Sequence, residues 1–268
     1  MIPATVKPWH VADSRRLKAV RGVLTDIDDT LTTEGAIPMG VVAAIAALRQ
    51  AGLPVFAVTG RPMGWSVPIV ESTPLAAVVA ENGAVALWRE GDAVCIEYAQ
   101  DEAERAVNAR RLAAAAQRLL REVPGATLAR DSAGRVTDIA VDHAEFAHLS
   151  PAQIERVVAV MREEGMHATV SSIHVNGWFG THTKASGARD AVRRLFDREL
   201  DDERDRWVYV GDSTNDEPMF ERFALSVGVA NVLDFADRLV HWPAFVTRRE
   251  RGLGFVEVAE RLLAARRA

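Results

Sequence analysis

Three carboxylates within four residues, Asp26-Ile27-Asp28-Asp29, stand directly after the strand-like segment Val20–Leu24 and before Thr30. A short apolar strand that ends in like charges can be buried only if its charged end lies at an open mouth of the sheet. Carboxylates packed that closely repel one another unless a cation sits among them. An all-oxygen donor set suits a hard ion such as Mg²⁺, which keeps water and phosphate oxygens in its other positions. Asp and Thr are also common turn and helix-cap residues, so the segment gains meaning only from what accompanies it.

The pattern that follows fixes the fold class. Helical spacing over Gly40–Ala51, a strand-like run Pro54–Val58, a short helix Trp65–Glu71 and a third buried run Ala76–Ala80 alternate along the chain. Such alternation predicts an α/β protein with a Rossmann-like parallel sheet. The character changes near Leu87. Ala84–Trp88 and Ala93–Tyr98 flank Arg89-Glu90-Gly91-Asp92 as a hairpin, Asp101–Val123 reads as a long helix, and Thr127–Arg130 with Arg135–Val141 reads as a second hairpin. Ser150-Pro151 opens another helix with a Ser cap and Pro at the first position, and His167–Ser171 and Ser172–Phe179 read as strands. These elements predict an inserted α+β cap domain over 86–180, within a core formed by 1–85 and 181–268. The α/β pattern resumes with helix Ser186–Phe196, strand Trp207–Val210, helix Glu217–Phe223, strand Leu225–Val229 and a final helix around Phe255–Ala265.

Composition narrows the function classes. A net charge of −5 argues against a general nucleic-acid or anionic-membrane surface. Cys95 is the single cysteine, which fits a reducing compartment. Met1 to Arg21 lacks an apolar core of signal-peptide length, and no run approaches the roughly 20 apolar residues of a membrane span. The expectation is a cytoplasmic protein, monomeric or homodimeric. Among 32 basic residues only Lys7, Lys18 and Lys184 are lysines. Where arginine is the default cation, an interior lysine asks for a compact point charge instead of a planar fork.

Three further segments stand where strands end. Thr59-Gly60-Arg61 offers a hydroxyl, backbone amides and a cation suited to phosphate oxygens. Lys184 follows Gly180-Thr181-His182-Thr183 and precedes a helix. Gly211-Asp212-Ser213-Thr214-Asn215-Asp216 puts two more carboxylates and an amide after a fourth strand. Each alone also reads as a capped turn or a solvated side chain. Their order and placement together carry the signal.

Taken as a set, Asp26-Ile27-Asp28-Asp29-Thr30, Thr59, Lys184 and Gly211–Asp216 resemble the four motifs of the haloacid dehalogenase superfamily of phosphohydrolases. The position of the insert, together with Glu81-Asn82-Gly83-Ala84, resembles the subgroup with a large α/β cap (Cof-like, subfamily IIB), which includes many sugar-phosphate phosphatases. One departure is Asp29, where glycine is commonest. The resemblance implies that Asp26 attacks phosphorus and that Asp28 protonates the leaving oxygen and later activates water. It implies Mg²⁺ held by the Asp26 side chain, the Asp28 carbonyl and Asp212, with Asp216 and Asn215 in support. Thr59, Gly60, Arg61 and Lys184 would hold the phosphoryl group. Asp29 would add negative charge near the site.

The substrate expected is a small phosphorylated metabolite, a sugar or polyol phosphate. Sugar phosphomutase chemistry and a non-catalytic binding module are alternatives on the same fold. In the cap, His174 and Asn176 alternate onto one strand face and are candidates for contacting substrate. The remaining histidines show no zinc-ligand spacing.

Overall fold

The computed structural model describes residues 3–267. Its centre is β2 (Gly22–Thr25), a fully buried strand lying in parallel between β11 (Trp207–Gly211) and β3 (Val55–Val58). The pleat sorts their side chains into two layers. Val23, Val55 and Val208 enter one apolar cluster, while Leu24, Phe56 and Tyr209, their chain neighbours, enter the other. The sheet extends through β12 (Leu225–Gly228), β13 (Phe245–Val246) and β1 (Lys7–Pro8) on one side, and through β4 (Ala77–Ala80), β5 (Val85–Glu90) and β6 (Ala93–Tyr98) on the other. Helices α1 (Ser14–Lys18), α2 (Met39–Gln50), α3 (Met63–Ser72) and α8 (Arg251–Arg267) cover the first layer. Helices α6 (Lys184–Phe196) and α7 (Glu217–Arg222) cover the second. The result is the α/β core that the alternation predicts, with the first and fourth motifs side by side at the strand ends.

A second, antiparallel sheet has the order β7 (Thr127–Leu128), β8 (Asp138–Asp142), β10 (His174–Trp178), β9 (His167–Val170). Helices α4 (Glu102–Glu122) and α5 (Pro151–Glu163) pack on one of its faces through Leu112, Leu119, Val157, Met161, Val141 and Val175. Gly177 lies on that helix side, where an added Cβ would stand 2.7 Å from the Met161 sulfur. The alternate residues Asp138, His174 and Asn176 therefore occupy the opposite face, the one turned to the core.

The insert does not begin at residue 86. β5 pairs antiparallel with β4, and β6 pairs with β5, so the first hairpin extends the core sheet. The reason is burial: Val85 and Leu87 are fully enclosed by the core cluster, a sink stronger than any offered by the cap. The cap begins after Tyr98. Its two connections to the core meet where Gln100 Nε2 donates to the Phe179 carbonyl at 2.9 Å.

Helix α6 also starts earlier than expected, at Lys184. Thr183 is its N-cap, forming a reciprocal capping box with Ser186. Gly187 then lets α6 approach the Glu81–Gly83 turn, since a Cβ there would lie 2.6 Å from the Gly83 Cα. Backbone cannot yield as a side chain can. Gly187→Ala is therefore expected to lower stability by about 1–3 kcal/mol through overpacking. Gly40→Ala, in α2 with open space around it, should be neutral or stabilising by up to about 1 kcal/mol. Equilibrium urea unfolding of the two variants checks this contrast, and equal stabilities would contradict it.

Candidate active site

Asp26 is the first residue beyond β2. Its amide continues the parallel ladder by donating to the Val210 carbonyl at 2.8 Å, which places its side chain beside the end of β11. Asp212, one residue past β11, arrives at the same level. Asp216 ends a turn of 3₁₀ helix (Thr214–Asp216), and its side chain folds back, Oδ2 accepting from the Asp212 amide at 2.9 Å and the Ser213 amide at 3.2 Å. Oxygens of Asp26, Asp212 and Asp216 lie within 4.8 Å of one another, and all three residues are buried.

Lys184 crosses this cluster from the first turn of α6. Its Nζ donates to Asp26 Oδ1 at 2.6 Å and to Asp216 Oδ1 at 2.8 Å. A cation at a helix N-terminus works against the helix dipole, so the two carboxylates are what hold it there. Lys184 and Tyr209, whose hydroxyl donates at 2.5 Å, both engage Asp216 Oδ1. Every oxygen of Asp216 is thus occupied by protein donors, which makes Asp216 an anchor for Lys184 and for the 212–213 turn.

One ammonium does not balance three buried carboxylates. Burial, with Asp216 and Asp28 nearby, lifts Asp26 above the ordinary carboxylate range despite Lys184. Burial and the neighbouring Asp216, Asp26 and Asp29 do the same to Asp212. An oxygen-rich cluster with excess negative charge is the donor set that a hard divalent cation fits. Asp212 is oriented by the Thr30 hydroxyl at 3.3 Å and the Asn231 amide at 3.4 Å.

Asp29 has a backbone φ of 52°, in the left-handed region that glycine enters most easily. Its amide donates to Thr32 Oγ1 and its carbonyl accepts from Asn231, which hold that conformation. Its carboxylate lies 3.1 Å from Arg251 Nε. The charge expected to burden the site does act on Asp212, but it is also paired with Arg251 outside the cluster.

Thr59 follows β3, and its Oγ1 accepts from the Arg61 amide at 3.0 Å, leaving the hydroxyl proton to donate elsewhere. Asn215 accepts from Ser213 Oγ through its carbonyl oxygen at 2.8 Å, which fixes the amide nitrogen as its donor end. Asp26, Asp28, Gly60, Arg61, His174 and Asn215 share one small cavity of about 10 Å³. The core motifs and the cap face thus converge on one point.

The cap residues divide in role. Asn176 Nδ2 donates to the Gly60 carbonyl at 3.2 Å and to Asp138 at 3.1 Å, so its donor end is committed to joining cap and core. The His174 ring meets Glu145 Oε2 at 2.9 Å. Arg61 is not a free phosphate ligand. Its Nε donates to both Asp28 oxygens at 3.0 and 3.1 Å, and its Nη atoms reach Asp131 at 3.2 Å and Glu145 at 2.8 Å. Sequence reading missed Asp131, Arg135, Glu145 and Asn231. Isolated acids and an arginine in surface-like turns carry no motif, and only the docking of two sheets brings Asp131, Arg135 and Glu145 here; Asn231, in the core turn after β12, reaches Asp29 and Asp212 without the cap. Glu81 was read as part of a turn; in the structure its buried carboxylate accepts from the Met63, Val136 and Thr137 amides and the Thr137 hydroxyl.

Residues 23–111, which include the first two motifs, match the family model of haloacid dehalogenase-like hydrolases. Over that segment the chain is similar to haloacid dehalogenase-like hydrolases, as its first two motifs imply. Solved structures of similar architecture include a protein of Thermoplasma acidophilum (TM-score 0.69, 16% identity, covering 91% of this chain and 98% of that one). The sucrose-phosphatase of Synechocystis sp. PCC6803 has a TM-score of 0.63 at 15% identity, covering 91% and 98%. A trehalose-6-phosphate phosphatase related protein has a TM-score of 0.60 at 16% identity, covering 92% and 99%. At these identities the likeness is one of fold. No curated protein matches the sequence.

Two outcomes follow from the electrostatics. Lys184→Met leaves buried carboxylates uncompensated and should cost about 3–5 kcal/mol in metal-free protein, measured by urea unfolding at neutral pH. Glu145 is held down at about 2 by its hydrogen bond to His174 and by Arg61. A lowered carboxylate stabilises the fold above its unfolded value, and that contribution disappears as pH falls toward 2. Glu145→Gln should therefore lose less stability than the parent protein between pH 5 and pH 3. Identical acid sensitivity in the two proteins would contradict the pairing.

Proposed function

We propose that the protein is a Mg²⁺-dependent phosphatase of a small phosphorylated metabolite, a sugar or polyol phosphate, working through a phosphorylated Asp26. The observation that carries this reading is the Lys184 ammonium on Asp26 at the mouth of the central strand, beside Asp212 and Asp216. A carboxylate buried among acids is a nucleophile only if it is kept ionised, and the lysine favours that state.

In this reading an Asp26 oxygen attacks phosphorus while the bond from phosphorus to the leaving oxygen breaks. Asp28 gives that oxygen its proton, then takes a proton from the water that hydrolyses the aspartyl-phosphate, releasing inorganic phosphate. Thr59 Oγ1, the Asn215 amide and Lys184 stabilise the phosphoryl oxygens as their charge develops. Asp26, Asp212 and the Asp28 carbonyl would hold the metal, with Asp216 orienting the turn that presents Asp212. When bound, Mg²⁺ supplies positive charge that screens the nucleophile from the phosphoryl oxygens. The sugar-phosphatase names among the fold neighbours support the substrate class. No helix among the described residues is long and apolar enough to cross a membrane, and with Cys95 unpaired a cytoplasmic location is part of the proposal.

Turnover of a panel of phosphorylated metabolites, with Mg²⁺ and after exhaustive chelation, tests the whole. Chelation should abolish activity and Mg²⁺ restore it, with Ca²⁺ a poor substitute because its looser coordination misaligns attack. Asp26→Asn should lose turnover by roughly a thousandfold or more, as a missing nucleophile does, while keeping its circular dichroism spectrum and a thermal midpoint no lower than the parent's. Near-normal turnover by well-folded Asp26→Asn would refute the assignment.

A further inference from the structure

Arg61 is the junction between the two lobes. It stands in the core just after β3, its ring-side neighbour is Trp65 at 5.0 Å, and it is almost fully buried. Three carboxylates compete for it: Asp28 from the core, and Asp131 and Glu145 from the cap. These contacts are not equivalent. Asp131 is also held by Arg135, which in turn donates to Asp138 and to the Gly60 carbonyl. Asp131 thus belongs to the docking network whichever way Arg61 is used. Glu145 has one other partner, the His174 ring, and keeps 22% of its side chain exposed; both of its partners line the cavity over Asp26 and Asp28.

The backbone around Glu145 is built for presentation. The Asp142 carboxylate, at the end of β8, accepts from the amides of Ala144, Glu145, Phe146 and Ala147. Four donors on one buried carboxylate fix the loop that carries Glu145, and they engage only its main chain, so the side chain is held by Arg61 and His174 alone. Below it, the cavity over Asp26 and Asp28 measures about 10 Å³, about the volume that admits one water. A space of that size does not hold a phosphate ester on Asp26, so its admission requires the cap to lift, which breaks both cap pairs of Arg61, to Glu145 and to Asp131.

Resting on the phosphatase reading, we propose that Glu145 is a displaceable latch: its carboxylate occupies the edge of Arg61 that oxygens of an incoming phosphate ester take over, so that admission of substrate and release of the cap are one exchange. The anion of the substrate replaces the anion of the protein on the same guanidinium, and Arg61 is never left buried and unpaired. Asp142 acts through Glu145 as a positioning residue.

The test uses the full chain with Mg²⁺ and the variant Glu145→Gln, which keeps shape and removes charge. The first readout is amide hydrogen exchange of Val136 and Thr137 in protein without added oxyanion, since Glu81 protects both amides only while the cap is docked. The second is the affinity for orthovanadate. The latch requires faster exchange at these two amides in the variant and vanadate binding about threefold to tenfold tighter than in the parent, as expected when a part-exposed ion pair no longer competes. Unchanged exchange overturns the proposal. Faster exchange with weaker vanadate binding also overturns it, by making Glu145 an anchor for the ligand. Faster exchange with no vanadate binding or phosphate-ester turnover in either protein sustains the cap latch and refutes the phosphatase reading instead.

Discussion

The Lys184 ammonium, shared between Asp26 and Asp216, is the interaction on which the rest of the molecule depends. Bringing three carboxylates to one buried point is costly unless charge is returned to it. Lysine returns it as a compact point that two oxygens can share, where the wider guanidinium of arginine would need a planar slot. The arrangement also links distant parts of the chain. Lys184 begins the helix after the cap, Asp26 follows the first central strand, and Asp216 closes the turn of the last motif. The return of the chain from the cap is therefore anchored at the site itself.

From that anchor the geometry of the mouth follows. Parallel pairing of β11, β2 and β3 aligns their ends, so Asp212, Asp26 and Thr59 reach one level without any side chain stretching. Capping residues then set directions: Thr183 starts α6 in time to project Lys184, and Ser213 with Asp216 turns the chain so that Asp212 faces inward. The steric freedom of glycine is forgone at residue 29, where Thr32 and Asn231 hold an aspartate in a left-handed backbone instead.

What was legible in the sequence was what local pattern encodes. Alternating apolar runs and helices gave the core layers, and strand-end clusters of Asp, Thr, Lys and Asn gave the floor of the site. The hairpin over 85–98 was misassigned because turn chemistry identifies a hairpin but not the sheet that it joins. That choice was made by the enclosure of Val85 and Leu87. The roof was illegible for a related reason. Asp131, Arg135, Asp138 and Glu145 acquire their roles from a face-to-face meeting of two lobes, and nothing in their spacing records it. His174 and Asn176 were found by alternation, yet alternation specifies only a face; the partners Glu145 and Gly60 decide what each side chain has left to offer.

Glu81 has a wider consequence. It sits at φ 48° beside Asn82 at φ 56°, in a turn that faces the cap. Apart from the Thr137 hydroxyl, what its carboxylate grips on the cap is main chain, the amides of Val136 and Thr137. A grip on peptide groups persists whatever the side chains at those positions are, because every residue except proline presents the same N–H. This part of the attachment is thus assigned to main-chain atoms. Asn176, Arg135 and Asp131 hold the same lobe through their side chains, so the cap has one fastening that substitution at 136 leaves in place and others that a single substitution removes.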